Sequence, residues 1–308
     1  MRYRRHLLSI RDLSDQQLAE VVELGARFGA AGIPAGLLQG CVVGTLFSAT
    51  STRTRTAFGS AALRLGAGLL TYGPGDLQLN TGESEEDTGR VLAQMLDALV
   101  VRTAADPAPV RALARQDCMA VVNAMTSDEH PTQALADLAT LRGRFGSLDG
   151  IRILYVGEGN NTAAALALAV PRFRGATLTL CTPRGYGVDE AVLATARGYA
   201  GEHEAQVCVV DDLRKVDGKA DVVYTTRWQT TGTAKSDPDW RTAFEPFRVD
   251  AAVLSMHPGA VFMHDLPAHR GDEVTGEVLD GPASIAFEQA RMKMYSAAAV
   301  LCTTMGVL

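Results

Sequence analysis

At 308 residues, 47% of them hydrophobic, the chain has enough apolar material for two ordinary domains of about 100–200 residues each. A formal net charge of −6, with acidic and basic residues interleaved, leaves no broad cationic face for a nucleic-acid backbone or an anionic membrane. Cys41, Cys118, Cys181, Cys208 and Cys302 lie far apart with no C-x-x-C pair, which argues against a disulfide framework or a zinc ribbon. No apolar run approaches the ~20 residues of a membrane span, and the expected setting is the reducing cytoplasm.

In chain order, Ser14 with Gln17 forms a capping box ahead of Leu18, Val21, Val22 and Leu24, which recur with helical period. Cys41 to Phe47 is a β-rich run, followed by a Ser/Thr/Arg cluster and a helical stretch at Ala57 to Leu65. Strands are expected at Gly68 to Tyr72, Ala98 to Val101 and Met119 to Asn123, with helices at Asp87 to Leu96 and Thr132 to Leu141. The Gly-rich, polar Arg142 to Gly150 marks a domain boundary. Beyond it, strands are expected at Ile151 to Val156, Thr177 to Cys181, Val207 to Val210, Asp221 to Thr225 and Val261 to His264, and then a long helix over Ala283 to Val307. Strands alternating with helices imply two α/β domains, each an open parallel sheet with helices on both faces, over residues 1–141 and 151–288. The helix from about residue 290 to 308 is expected to pack back on the first.

The densest chemical signal is Ser51-Thr52-Arg53-Thr54-Arg55, where a strand gives way to a helix. Hydroxyls, guanidinium groups and the free N–H groups of a helix start all favour a phosphate. Arg102 closes the run Ala98 to Val101, at the carboxyl end of a strand, where open α/β sheets place their ligands. His130-Pro131-Thr132-Gln133 follows another strand, and its His and Gln offer donors and acceptors to one small ligand. Any one of these alone reads as a solvated cap, a surface ion pair or a structural histidine; three strand ends with compatible groups read as a site.

In order and spacing, these segments resemble the aspartate/ornithine carbamoyltransferases. Arg5-His6-Leu7-Leu8, Asp12-Leu13-Ser14, Glu83-Ser84 and Asp87-Thr88 extend the likeness, and Gly157-Glu158-Gly159-Asn160-Asn161 and Phe262 to Gly271 resemble the ornithine branch. The resemblance implies a transferase that needs no metal or organic cofactor, with carbamoyl phosphate on the first domain and an amino acid on the second, in a homotrimer with shared sites. It implies that Ser51, Thr52, Arg53 and Thr54 hold the phosphate, that Arg102 and His130 reach the carbonyl oxygen, and that Gln133 and the backbone of Leu266 hold the carbamoyl amide. Gln78 matches a residue lent to the adjacent subunit. Lys293 stands where ornithine enzymes carry an Arg that reaches carbamoyl phosphate; a Lys keeps the charge and loses the bidentate fork.

The acceptor half departs from its relatives. Ornithine enzymes have a cysteine where Asp265 stands, and an aspartate that meets the α-amino group where Thr226 stands; their Ser-Met pair is Thr230-Thr231 here. Arg227 and Gln229 instead resemble the carboxylate grip of aspartate enzymes, while Asn161 is expected to hold the acceptor's backbone end. Asp265 beside the attacking amine, where a carboxylate can serve as general base, and a carboxylate clamp at Arg227 and Gln229 point to a short diamino acid such as 2,3-diaminopropionate, ahead of ornithine or aspartate. The Gly157-x-Gly159 pair after a strand also suggests a nicotinamide enzyme, but Thr162 replaces the third glycine and no acidic ribose partner ends the next strand. A non-catalytic paralogue is the other alternative, and the intact phosphate cluster speaks against it.

Overall fold

A computed structural model describes residues 5–230 and 234–308. The chain divides into two compact units, one formed by the chain up to Arg144 together with Arg291–Leu308, the other by Phe145–Ala290.

In the first unit, helix α1 (Asp15–Ala31) starts from the Ser14–Gln17 capping box read in the sequence. Strands β1 (Val42–Phe47), β2 (Gly68–Tyr72), β3 (Ala98–Arg102) and β4 (Ala120–Asn123) form a parallel sheet in the order β2-β1-β3-β4. Helices α2 (Arg53–Arg64), α3 (Glu85–Leu92), α4 (Ala108–Leu113) and α5 (Pro131–Phe145) lie between or after them. β3, central in the sheet and covered on both faces, is buried along its whole length, and so is the edge strand β4, beside which Leu7 makes an isolated bridge to Val122. Phe47 pairs with Arg102 and Val101 with Asn123, so β1, β3 and β4 end level with one another. The loops after all three therefore open at one edge.

Three helices of this unit differ clearly from the sequence reading, one being α3, which spans Glu85–Leu92 instead of Asp87 to Leu96 because Ser84 caps it earlier. α2 begins at Arg53 instead of Ala57; Thr52, Thr54 and Thr56 have weak helix propensity and obscure the first turn. α5 runs on to Phe145, past Leu141, because Arg142 and Arg144 suit the negative end of a helix dipole.

The second unit is a five-stranded parallel sheet, β7-β6-β5-β8-β9, of β5 (Arg152–Val156), β6 (Thr177–Cys181), β7 (Gln206–Val210), β8 (Val222–Thr225) and β9 (Val261–His264). Its longer helices are α6 (Asn161–Ala169) and α7 (Glu190–Glu202); α8 (Trp240–Phe244), α9 (Ala251–Ser255) and α10 (Gly276–Leu279) are single turns. Val156 pairs with Thr225 and Thr225 with His264, so the loops after β5, β8 and β9 leave side by side. Phe262, Val223, Leu154 and Val156 form the buried centre against Val249, Val274 and Leu279. The last helix, α11 (Ala286–Thr304), begins in this unit and ends in the first. Among the described residues no helix is long and apolar enough to cross a membrane.

The G-x-G after β5 has a packing explanation. A Cβ on Gly159 would lie 2.3 Å from the backbone of Gly187 and Val188, a clash with atoms that cannot swing aside. Gly159→Ala should therefore lower stability by about 1–3 kcal/mol, the usual cost of overpacking, read as a drop in urea midpoint at unchanged m-value. An unchanged midpoint would show that the 187–188 segment moves freely.

Candidate active site

The level ends of β1, β3 and β4 bring Thr54, Arg102 and His130 together. Thr52 caps α2 without any side-chain hydrogen bond to the helix start, so the first-turn N–H groups are not covered by a cap side chain. That leaves them available to an anion. Thr54 lies in the first turn, buried, with Ser51 and Arg53 half-buried and Thr52 exposed beside it. From the end of β3, one Arg102 guanidinium nitrogen reaches Thr54 Oγ1 and the Ala124 carbonyl at 3.5 Å each, and His130 Nε2 at 3.3 Å. These are long contacts, loose enough to be exchanged for a ligand.

An arginine only donates, so the Arg102 contact makes His130 Nε2 an acceptor and places the ring proton on Nδ1, 3.4 Å from Thr132 Oγ1. Burial, reinforced by the positive charges of Lys293 and Arg102, holds the His130 imidazole well below the ordinary histidine range. It is neutral at physiological pH. Lys293, 7% exposed on α11, donates to Gln133 Oε1, and Gln133 Nε2 donates to the buried Asp137 at 2.8 Å. Gln133 is thereby fixed with its carbonyl towards the lysine. Gln78 sits apart, exposed at the start of a single helical turn, Gln78–Thr81.

The second unit gathers its residues at the loops after β5, β8 and β9. Asn160 caps α6, accepting from the Thr162 and Ala163 N–H groups, and the buried Asn161 is the first helical residue. Asp265, directly after β9, accepts from Thr162 Oγ1 at 3.0 Å and Thr226 Oγ1 at 2.9 Å. Asn160 Nδ2 donates to Thr230 Oγ1 at 3.0 Å and stands 3.5 Å from Thr226 Oγ1. Thr226 is buried, whereas Arg227, Gln229 and Thr230 are half-buried; Thr231 lies outside the described residues. Leu266 adopts φ +53, unusual for a branched residue. Its N–H donates to His264 Nδ1 at 2.8 Å, and His264 Nε2, the remaining N–H, meets Glu273 at 3.1 Å.

Asn160, Thr162 and Thr132 escaped the sequence reading as site residues. The Asn160-Asn161 pair after Gly159 was a visible cap signal, but nothing local shows that Thr162 meets a side chain 103 positions away.

Comparison with known proteins agrees with this geometry. Residues 5–143 match the family model "Aspartate/ornithine carbamoyltransferase, carbamoyl-P binding domain", and residues 149–304 match "Aspartate/ornithine carbamoyltransferase, Asp/Orn binding domain". The chain is 40% identical to the ornithine carbamoyltransferase of Acidothermus cellulolyticus over 299 residues, 96% of this chain and 95% of that protein. It is 36% identical to the anabolic ornithine carbamoyltransferase of Pyrococcus furiosus over 306 residues, 98% and 96% of the two chains. Among solved structures, the Pyrococcus furiosus ornithine carbamoyltransferase superposes with a TM-score of 0.92 at 36% identity, covering 99% of this chain and 98% of that one. The Gloeobacter violaceus enzyme does so at 0.87 and 34%, covering 99% and 100%.

Fold and site thus define a two-domain α/β transferase. The chain belongs to the aspartate/ornithine carbamoyltransferase family, and its activity is carbamoyl transfer.

The His130 environment has a pH consequence. A histidine whose folded pKa is depressed contributes stability that is present above its unfolded pKa, about 6.5, and is lost as pH falls below that value. His130 thus lowers the urea midpoint on acidification from about pH 7.5 to about pH 5, while Glu129, its buried carboxyl pushed up to about 7 from 4.5, acts in the opposite direction over much of that interval. His130→Asn should remove the first contribution, so the variant loses less stability than the intact enzyme over the same interval. An identical slope in the variant would place the proton elsewhere.

Proposed function

We propose that this enzyme transfers the carbamoyl group of carbamoyl phosphate to the side-chain amine of ornithine. The observation that carries the acceptor is the 2.9 Å contact between Thr226 and Asp265. Where ornithine enzymes pair a loop aspartate with a cysteine, this chain has a threonine and an aspartate. The two substituted side chains touch. The carboxylate that a cationic amino acid needs is displaced by one side chain and is not lost. The names of the relatives support the same acceptor.

In this reading, the α2 start with Ser51, Thr52, Arg53 and Thr54 holds the phosphate, and Lys293 adds a third cation. The uncharged amine attacks the carbonyl carbon, a C–N bond forms, charge gathers on the carbonyl oxygen, and the C–O bond to phosphate breaks. Arg102 faces that oxygen with charge already in place, so little reorganisation is needed as the negative charge develops. Neutral His130 can give the oxygen a hydrogen bond only from a ring nitrogen that carries the proton, which at Nε2 requires the other tautomer. Gln133 offers the second lone pair of Oε1 to the carbamoyl amide. Asp265, oriented by two hydroxyls, attracts the ammonium form of the acceptor and can take its proton. Asn161 holds the amino acid's backbone end, and Arg227 with Gln229 its carboxylate. The active species is a homotrimer, with Gln78 reaching the neighbouring subunit's site, as in the family pattern.

A short diamino acid such as 2,3-diaminopropionate is the second reading. It is favoured by Asp265 and Arg227 together, because a compact molecule can bring an amine and a carboxylate close to both. Aspartate fits less well: two like charges at ~4 Å cost ~4 kcal/mol even at an effective dielectric near 20.

Arg53→Ala and Arg102→Ala should each lower kcat by about 10²–10³, the scale set by loss of one donor to a developing oxyanion, with circular dichroism unchanged. Near-normal turnover in both would overturn the donor site.

Acceptor choice is tested by kcat/KM for ornithine, 2,3-diaminopropionate and aspartate. Ornithine should be highest, and Asp265→Asn should raise its KM by about tenfold or more, because a charge-assisted contact is lost. A higher value for 2,3-diaminopropionate, with Asp265→Cys shifting preference towards ornithine, would establish the second reading.

A further inference from the structure

Thr230, at the end of the segment that carries Arg227 and Gln229, and Lys235 further along the chain meet one carboxylate. Glu158 follows β5 and has a side chain 15% exposed. Its Oε2 accepts both the backbone N–H of Thr230, at 3.1 Å, and the Thr230 hydroxyl, at 2.9 Å. Its Oε1 pairs with the ammonium of Lys235, whose side chain is only 5% exposed. Lys235 Nζ also stands over three aromatic rings, 5.2 Å from the centre of Tyr186 and 5.1 Å from those of Trp240 and Phe244. Phe244 in turn packs on Tyr186 at 4.8 Å and on Trp228 at 5.8 Å. Ring faces attract a cation, and a desolvated cation needs a counter-charge, so this cage fixes the lysine at one point.

The same contacts continue towards the acceptor pocket. Thr230 Oγ1 meets Asn160, which stands beside Thr226, and Thr226 donates to Asp265. Thr226 orients Asp265, whereas Asn160, Thr230, Glu158 and Lys235 have no part in the chemistry proposed for this site.

We propose that Glu158 and Lys235 are positioning residues for acceptor binding: the carboxylate staples Thr230 and the caged lysine together and so fixes the Thr226–Thr230 segment against Asn160 and Asp265. The inference rests on the reading that this segment holds the acceptor. It gives a second use to a loop carboxylate that the resemblance left without a role.

Intrinsic fluorescence reports on the staple directly, because Trp228 and Trp240 are the chain's two tryptophans and both pack in the cage region. The experiment compares the intact enzyme with Lys235→Met, Lys235→Arg and the double variant Lys235→Met/Glu158→Gln, which leaves no unpaired buried charge if the single change fails to fold. Acrylamide quenching is measured alongside KM for carbamoyl phosphate and for whichever of ornithine and 2,3-diaminopropionate has the higher kcat/KM. Lys235→Met and the double variant should show greater quenching and an acceptor KM raised by about tenfold, equivalent to ~1.4 kcal/mol, with the carbamoyl phosphate KM unchanged. Lys235→Arg, which keeps the charge and the ring contacts, should recover most of the loss. A purely structural pair would lower the melting temperature without this split between the two KM values. An unchanged acceptor KM in the double variant, or a raised one with unchanged quenching, overturns the proposal. Arg227→Ala judges the underlying reading separately: if it leaves the acceptor KM unchanged, the segment does not hold the acceptor, and if it raises KM while the Lys235 variants do not, the staple alone fails.

Discussion

Parallel strands in level register end at the same edge of a sheet, and the rest of this protein's chemistry depends on that constraint. The pairing of β1, β3 and β4 sets Phe47 level with Arg102, and Asn123 level with Val101 one residue before it. The phosphate-compatible helix start, the guanidinium and the imidazole then need only short loops to converge. The second sheet repeats the device, with Val156, Thr225 and His264 level and the acceptor loops leaving beside one another. Burial of the central strands on both faces holds the register, since a slip of one residue would exchange the two faces of each strand.

On that frame the two units carry opposite electrostatics. The first sets Lys293 and Arg102 near a histidine that burial and those two charges keep neutral. A neutral imidazole among cations can hydrogen-bond without adding further repulsion to its neighbours, which suits a doubly charged phosphate ligand. The second unit presents Asp265, held by Thr162 and Thr226, with Arg227 and Gln229 nearby in sequence. A carboxylate fixed by two hydroxyls is preorganised for a cationic group.

Much of the site was legible because its residues are contiguous. Ser51 to Arg55 and His130 to Gln133 are short runs with a recognisable chemistry, and Arg102 closes an apolar strand. The relationship of Thr226 to Asp265 was not legible in the same way. Read singly, the two substitutions suggest one lost carboxylate and one gained, and therefore a changed acceptor. The structure places them 2.9 Å apart, and that contact is what the proposed ornithine reading rests on. Lys235 was invisible for a related reason: an isolated lysine in a polar loop reads as solvated, and only the folded loop shows its three aromatic neighbours.

The sequence by itself determined the alternation of strands and helices and the helix start at Ser14, and it singled out Ser51 to Arg55 as a candidate phosphate cradle. Each is written in local periodicity, capping chemistry or a run of a few residues, which act over one or two turns of chain. Only the tertiary structure decided strand order, the tautomer that Arg102 imposes on His130, the orientation of Gln133 between Lys293 and Asp137, and the union of Thr162, Thr226 and Asp265. Those are contacts between groups from 4 to 160 positions apart. Most of them cannot be read from spacing along the chain, because their energies exist only once burial has removed water and the sheets have set the distances.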